Sequence, residues 1–192
     1  MLKQLLEKEG LSLSNKKIEK LEYFANILME WNKIHNLTGA KSVADIYKNI
    51  IDSIYPMSFI DTPKKVLDVG SGAGFPAIPL AILFDESEFV LCEPLRKRVS
   101  FLKYVSLELE NIRVEASRVE DLENNKFDLI VSRAVTNTEM LVNITNHLSN
   151  SATKYLFYKG ERVFDEINQL DSSLNYDIIQ KNRRNYLYIK SL

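Results

Sequence analysis

The stretch of this chain best equipped to hold a ligand runs from Val66 to Pro79, V-L-D-V-G-S-G-A-G-F-P-A-I-P. Val66, Leu67 and Val69 form a short apolar run of the kind buried inside a parallel sheet. Gly70, Gly72 and Gly74 then open a tight turn, and Pro76 sits where a first helical turn accepts proline. A strand, a glycine turn and a helix start together make a nucleotide-type site, because bare backbone approaches the ligand closely and unpaired helix N–H groups face it. The spacing is G-x-G-x-G and not the G-x-G-x-x-G of the dinucleotide fingerprint. Glu93 follows about twenty residues later, where a carboxylate can accept from both hydroxyls of a ribose.

These residues need a sheet to position them, and the pattern after Lys65 supplies one. Val66–Val69, Phe89–Cys92, Ile112–Glu115, Phe127–Ser132 and Tyr155–Tyr158 read as strands. Pro76–Phe84, Leu95–Leu109, Thr138–Leu148 and Glu161–Leu170 read as the helices between or after them, and Tyr176–Ile179 and Tyr186–Ile189 as two closing strands around a polar turn at 181–185. Such alternation predicts an α/β fold with a doubly wound, mostly parallel seven-stranded sheet. Before it, residues 2–9 predict a short helix stopped by Gly10. Ser14 caps a helix over 15–34 with Ile18, Leu21, Phe24, Ala25, Leu28 and Trp31 on one face, and Asn36 stops it. Ser42 and Asp45 have capping-box spacing ahead of a third helix ending near Pro56. The expected organisation is one domain over 1–192, with 1–60 a helical extension and 65–192 the α/β core. Ligands bind such sheets beyond the C-terminal strand ends. Asp68 to Phe75, Glu93, Ala116 to Glu120, Ser132 to Val135 and Tyr158 to Gly160 are therefore the positions to weigh.

Composition excludes several classes. Hydrophobic content of 45% with 27% charged residues is that of an ordinary globular chain. The apolar stretch from Phe75 to Phe84 is too short to span a bilayer and carries two prolines, so no membrane partner is expected. The single cysteine, Cys92, forms no internal disulfide and has the apolar neighbours of a buried thiol, and the N-terminus lacks a cleavable signal's apolar core. A cytoplasmic location fits. A net charge of −1 lacks the domain-wide basic footprint of a nucleic-acid binder, so any RNA contact must come from local clusters. The candidates are Arg96, Lys97, Arg98 and Lys103; Lys16, Lys17 and Lys20; and Lys181, Arg183 and Arg184. A solvated face is the plain alternative for each.

The ordered set Asp68 to Gly74, Glu93 and Phe127-Asp128-Leu129-Ile130 resembles class I S-adenosylmethionine-dependent methyltransferases. W-N-K-I-H-N-L-T at 31–38, I-I-D-S at 50–53, G-F-P-A-I-P, S-R-V-E at 117–120, S-R-A at 132–134 and K-G at 159–160 narrow the resemblance to the ribosomal RNA small-subunit methyltransferase G family, also called glucose-inhibited division protein B. The match runs through nearly the whole chain in order. It implies an enzyme that carries a methyl group from S-adenosyl-L-methionine to N7 of a guanine in 16S ribosomal RNA, with the small subunit or an assembly intermediate as partner. Carried over by position, cofactor contacts fall on Gly70, Phe75, Val119 with Glu120, and Arg133, beside Gly72, Gly74 and Glu93 from the turn itself. Arg133 is a fixed cation with a planar donor fork, suited to a carboxylate or a phosphate, or else to an ion pair with Glu120 or Asp68. Arg118, Arg133, Tyr158 and Lys159 are the candidates for the substrate side. Ala77 stands where the family has glycine, and Asn49 where a histidine is common.

The implied reaction is an in-line displacement at a sulfonium methyl. Guanine N7 already presents a lone pair and loses no proton, so proximity and alignment suffice and no catalytic side chain is assigned. No [DN]-P-P-[YF] motif follows the fourth strand, which argues against exocyclic amines. Cys92 lies within a strand, badly placed for covalent catalysis, and His35 and His147 lie on predicted helical segments. No metal is expected, and a monomer is. The other readings are a nicotinamide-dependent oxidoreductase, a methyltransferase for another RNA or a small molecule, and a noncatalytic cofactor-responsive RNA-binding protein.

Overall fold

Val66, Leu67, Asp68 and Val69 are all almost completely buried, because strand β1 (Lys65–Val69) lies between two covered faces at the middle of the sheet. The computed structural model describes residues 1–167, 174–182 and 184–191. Three helices precede β1: α1 (Leu2–Lys8), α2 (Asn15–His35) and α3 (Val43–Ile54), the last followed by a 3-10 turn over Tyr55–Ser58. After β1 come α4 (Ala77–Leu83), β2 (Glu88–Cys92), α5 (Arg96–Ser106), β3 (Ile112–Glu115), β4 (Leu129–Arg133), α6 (Thr138–Thr145), β5 (Lys154–Lys159), α7 (Val163–Ile167), β6 (Asn175–Lys181) and β7 (Arg184–Ser191).

The strands pair in the order β3-β2-β1-β4-β5-β7-β6. β1 to β5 are mutually parallel, and β7 runs antiparallel to both β5 and β6. The chain thus works outward from β1 to β3, then returns to β4 on the other side of β1. That reversal is the switch point, and Val69 stands level there with Cys92 and Ser132. Alternate strand residues enter different cores. Val66, Phe89, Leu91, Val131 and Leu156 meet α1 to α5, whereas Leu67, Val90, Cys92, Ile130 and Phe157 meet α6 and its neighbours. The doubly wound, mostly parallel seven-stranded expectation holds.

Local chemistry explains the element ends. The Ser14 hydroxyl accepts from Lys17 N–H at 3.4 Å, and Asn36 adopts a left-handed φ of 51° to close α2. Ser42 Oγ accepts from Asp45 N–H, while the Asp45 carboxylate accepts from Lys41 N–H, one residue earlier than an ideal capping box. Asp128, from the F-D-x-I segment, precedes β4 and accepts the N–H groups of Lys64 and Lys65 at 3.2 and 2.8 Å, pinning the start of β1. Some predicted bounds shift. α5 ends at Ser106, short of Leu109, and the Thr138–Leu148 helix changes to a 3-10 turn at Asn146. Of Glu161–Leu170 only Val163–Ile167 is helical, and 168–170 lie outside the described residues, as does Arg183 in the 181–185 turn.

Ile46, Ile50 and Ile54 of α3 are fully buried in the core that also holds α4 and the sheet. We infer that the helical extension and the sheet unfold as one unit. Ile50→Ala should cost about 2–5 kcal/mol and lower the midpoint of a single thermal transition. Two separate transitions in calorimetry, with only one displaced, would contradict a single domain.

Candidate functional site

Three strand ends, those of β1, β2 and β4, and part of the N-terminal helices surround a cleft of about 590 Å³. Its floor is the turn Gly70 to Ala73 with Phe75, one wall is Glu93 to Leu95 with Arg98, and the facing wall is Arg133 to Val135. Leu37, Thr38 and Asn49 from the N-terminal helices close it. The sheet core and the helical extension therefore both contribute.

The turn is set by hydrogen bonds that ordinary residues would prevent. Gly70 and Ser71 donate N–H to the Cys92 carbonyl at 2.9 and 3.2 Å, which fastens the end of β1 to the end of β2. Gly70 has φ +70°, and a Cβ there would stand 2.6 Å from Val135 Cγ2. Gly72 donates to Glu93 Oε2 at 2.9 Å, and Leu95 donates to Glu93 Oε1 at the same distance. Arg98 Nη1 lies 3.6 Å from Oε2. Glu93 is thus a nearly fully buried carboxylate with donors at both oxygens, and each oxygen keeps lone-pair capacity for a ligand hydroxyl. Beneath the turn, burial pushes the Asp68 carboxyl up to about 8, the Ser71 hydroxyl opposing and the Glu93 charge adding to it. Both Asp68 carboxyl oxygens lack a partner among the described residues.

On the opposite wall, Arg133 lies with Cζ 5.4 Å from the centre of the Phe75 ring, within reach of a cation–π contact. Its Nη2 donates to Asn49 Oδ1 at 2.6 Å, and Nη1 stands 3.2 Å from Asp52 Oδ2. Burial lowers the Arg133 pKa from its ordinary value, with Asp52 opposing that shift. Asp52 also accepts from Arg184 Nε at 2.9 Å and from the Tyr186 hydroxyl at 3.1 Å, so one carboxylate of α3 ties β4 to β7. The alternative reading of Arg133 as a structural ion pair holds in kind, with Asp52 as the carboxylate and not Glu120 or Asp68. The clue in the sequence was a carboxylate among Ile50, Ile51, Ser53 and Ile54 on an otherwise apolar helix. Ala134 then takes a left-handed φ of 59°, a strain of roughly 1–2 kcal/mol for a residue with a Cβ, and turns the chain along the cleft.

The 31–38 segment also acquires a use. Asn32 Oδ1 accepts from Thr38 N–H at 2.8 Å, and its amide donates to the Ala40 carbonyl at 3.2 Å. This folds the loop that presents Leu37 and Thr38 to the cleft. Phe75 packs edge-on against Phe24 of α2, with ring centres 5.4 Å apart.

Gly70, Gly72, Phe75, Glu93 and Arg133 therefore come together, with Gly74 just behind them. Gly74 has φ +89°, and a Cβ there would meet Ile78 at 2.6 Å. Val119 and Glu120 lie on a 3-10 turn after β3 and are not among the residues lining the cleft. Val119 is buried and Glu120 exposed; Arg118, just before the turn, is exposed and also outside the cleft lining. Two substrate-side expectations need correction. Tyr158 is buried beneath the helical extension and donates its hydroxyl to the Ser53 carbonyl at 2.6 Å, because its position on β5 faces α3. Lys159 is also buried, paired with Glu166 at 2.7 Å and donating to the Thr136 carbonyl at 3.0 Å. It braces the segment after β4 against α7, and its ammonium is already committed. The lining residues Leu37, Thr38, Asn49, Leu95 and Arg98 are not among the strand-end positions weighed for the ligand, although Arg98 stands in a basic cluster weighed for RNA.

Asp68 gives a pH test. Its folded-state pKa lies above the ordinary 3.8, so the folded chain holds the proton more tightly than the unfolded one. The stabilisation is complete below the unfolded value and is lost as pH rises towards about 8. Asp68→Asn should remove this slope, so its thermal midpoint should gain on the unaltered protein between pH 5 and 8. Parallel midpoint curves would contradict the assignment.

The family model for rRNA small subunit methyltransferase G matches residues 17–189. The ribosomal RNA small subunit methyltransferase G of Aliarcobacter butzleri is 44% identical over 194 residues, covering 100% of both chains. Its counterpart in Wolinella succinogenes is 42% identical over 189 residues, covering 97% of this chain and 96% of that one. Among solved structures, a ribosomal protein L11 methylase from Lactobacillus delbrueckii subsp. bulgaricus superposes with a TM-score of 0.60 at 17% identity, covering 76% of this chain and 79% of that one. The Methanococcus jannaschii fibrillarin pre-rRNA processing protein does so with 0.55 at 14% identity, covering 68% and 67%. At such identities these two are likenesses of fold. The glycine turn with Glu93, the S-R-A wall and the helical extension thus sit in a chain that belongs to the rRNA small subunit methyltransferase G family.

Proposed function

We propose that the chain transfers a methyl group from S-adenosylmethionine to N7 of a guanine in 16S ribosomal RNA. The observation that carries this reading beyond family membership is the chemistry of the cleft wall. Its titratable residues are Glu93, Arg98 and Arg133. Glu93 is engaged by two backbone N–H groups, and the arginines are permanent cations paired with Glu93 and Asp52. Burial raises the Cys92 thiol to about 12, its Sγ is turned to the Ser117 carbonyl, and neither histidine lines the cleft. A wall without an available base or nucleophile suits an acceptor atom that already owns a free lone pair and releases no proton. Guanine N7 is such an atom.

The residues present fit the cofactor. Gly70 and Gly72 leave bare backbone at the floor, and Glu93 retains acceptor capacity for ribose hydroxyls. Phe75 offers an apolar surface, and Arg133, its Nη atoms held by Asn49 and Asp52, offers a fixed positive charge at the cleft wall for a carboxylate. When bound, S-adenosylmethionine supplies an electrophilic sulfonium methyl. The task of the chain is then to hold two reactants in line and exclude water between them, which is catalysis by proximity. Val119 and Glu120 belong to this reading as the adenine side, once a ligand extends beyond β2. The small-subunit RNA, a monomeric chain and a cytoplasmic setting complete the proposal. No helix among the described residues is long and apolar enough to cross a membrane.

16S rRNA from cells with and without the gene should differ at one site of chemical cleavage specific for 7-methylguanosine. Restoring the gene with Arg133→Ala should lower transfer by about 10- to 100-fold, the loss of a charge-assisted contact, while Arg184 keeps Asp52 paired. An unchanged cleavage pattern in cells without the gene contradicts the proposal.

A further inference from the structure

Of the three basic clusters in the sequence, two have members tied into the fold. Lys17 donates to the Leu83 carbonyl at the end of α4 and pairs with Asp85 at 3.0 Å. Lys181 pairs with Glu9 and Arg184 with Asp52. In the remaining cluster only Arg98 has a carboxylate partner among the described residues. Residues 94–107 contain Arg96, Lys97, Arg98 and Lys103 and no carboxylate, and residues 31–44 contain Lys33, His35 and Lys41 and again no carboxylate. In a chain with 25 basic and 26 acidic residues, two such acid-free segments are a segregation of charge. The fold lays them side by side: Trp31 of α2 packs on Phe101 and Tyr104 of α5, with ring centres 5.6 and 5.3 Å apart.

Stability alone does not account for this arrangement. Arg96, Lys97 and Arg98 fill the first turn of α5, where a cation opposes the helix dipole, and no acidic residue there offsets them. Arg98 has Glu93 as partner, whereas Arg96, Lys97, Lys103 and Lys33 have no carboxylate partner among the described residues. Tyr104, 44% exposed, lies at the edge of this basic field, where Tyr23 and the carboxylates Glu30 and Glu108 adjoin it, and the His35 ring lies against Trp31 with ring centres 5.2 Å apart. The face is continuous with the cleft, because Leu37 and Thr38 follow α2 and Leu95 and Arg98 begin α5.

We propose that this α2–α5 face is the track along which single-stranded RNA enters the cleft, a base stacking on Tyr104 while Arg96, Lys97, Lys103 and Lys33 contact phosphates. Cations interleaved with an exposed aromatic ring are the combination that holds unpaired nucleotides. The proposal rests on the RNA methyltransferase reading above and adds the path of the substrate to it. A local basic face also reconciles RNA binding with a net charge of −1.

The chain has one tryptophan, Trp31, in contact with Tyr104, and it reports directly on this face. Titration with an unstructured oligoribonucleotide of about ten nucleotides should change Trp31 emission saturably, with affinity falling steeply as salt rises. Tyr104→Ala and the pair Arg96→Glu with Lys97→Glu, measured by anisotropy of a labelled oligonucleotide, should each weaken RNA binding about tenfold. Calorimetric affinity for S-adenosylhomocysteine should stay within about twofold, which also shows that the variants are folded. Variants that bind RNA as the unaltered protein does would overturn the track while leaving methyl transfer intact. Loss of cofactor binding and transfer in the unaltered protein would instead sink the functional reading. Ile34 and Leu107, both 79% exposed, border the face, so phosphatidylglycerol vesicles are the control. Binding to vesicles and not to RNA would also overturn the proposal.

Discussion

A carboxylate with almost no exposure survives in a folded protein only where donors surround it, and Glu93 sets that condition for the cleft. Its donors are the N–H groups of Gly72 and Leu95, with the Arg98 guanidinium alongside. Meeting the requirement dictates the backbone. Gly72 must turn its N–H towards β2, which calls for the left-handed φ of 58° that glycine accepts readily. Gly70 and Ser71 follow by donating to Cys92. The glycine turn and the acidic strand end are therefore one device. Each supplies what the other lacks, and the cleft floor is its surface.

The second constraint joins the helical extension to that floor. Asp52 lies between Arg133 and Arg184, and Asn49 Oδ1 accepts from Arg133 Nη2. Removing α3 would leave a buried guanidinium beside the cleft with no partner, a more damaging loss than exposure of an apolar helix face. The N-terminal helices thus complete the site. The loop folded by Asn32 and the edge-on packing of Phe24 on Phe75 act in the same sense.

Much of this was legible in the sequence for physical reasons. Short apolar runs broken by helical segments can only be a parallel sheet, and a parallel sheet with its strand order reversed has one crevice. Gly70, Gly72 and Glu93 followed from that, and Phe75 and Arg133 from the family resemblance. Tyr158 and Lys159 did not, because a strand end is available to ligand only if nothing covers it. The cover over Tyr158 is α3, and the partner of Lys159 is Glu166 on α7. The contacts of Arg133 were equally hidden, since Asn49 lies 84 residues away in the chain and no local pattern encodes the pairing. Asn49 had registered only as a departure from the family's usual histidine. In the fold it is a hydrogen-bond acceptor that holds an arginine in place.

The central claim is that the device made by the glycine turn and Glu93 holds the methyl donor. Calorimetric titration of S-adenosylhomocysteine into the protein and into Glu93→Ala, both with intact far-ultraviolet circular dichroism, measures it directly. The account predicts one saturable site in the unaltered chain and a loss of at least about tenfold in affinity for the variant, the worth of a hydrogen bond to a charged group. Equal affinities, or no binding to the unaltered chain, would contradict it.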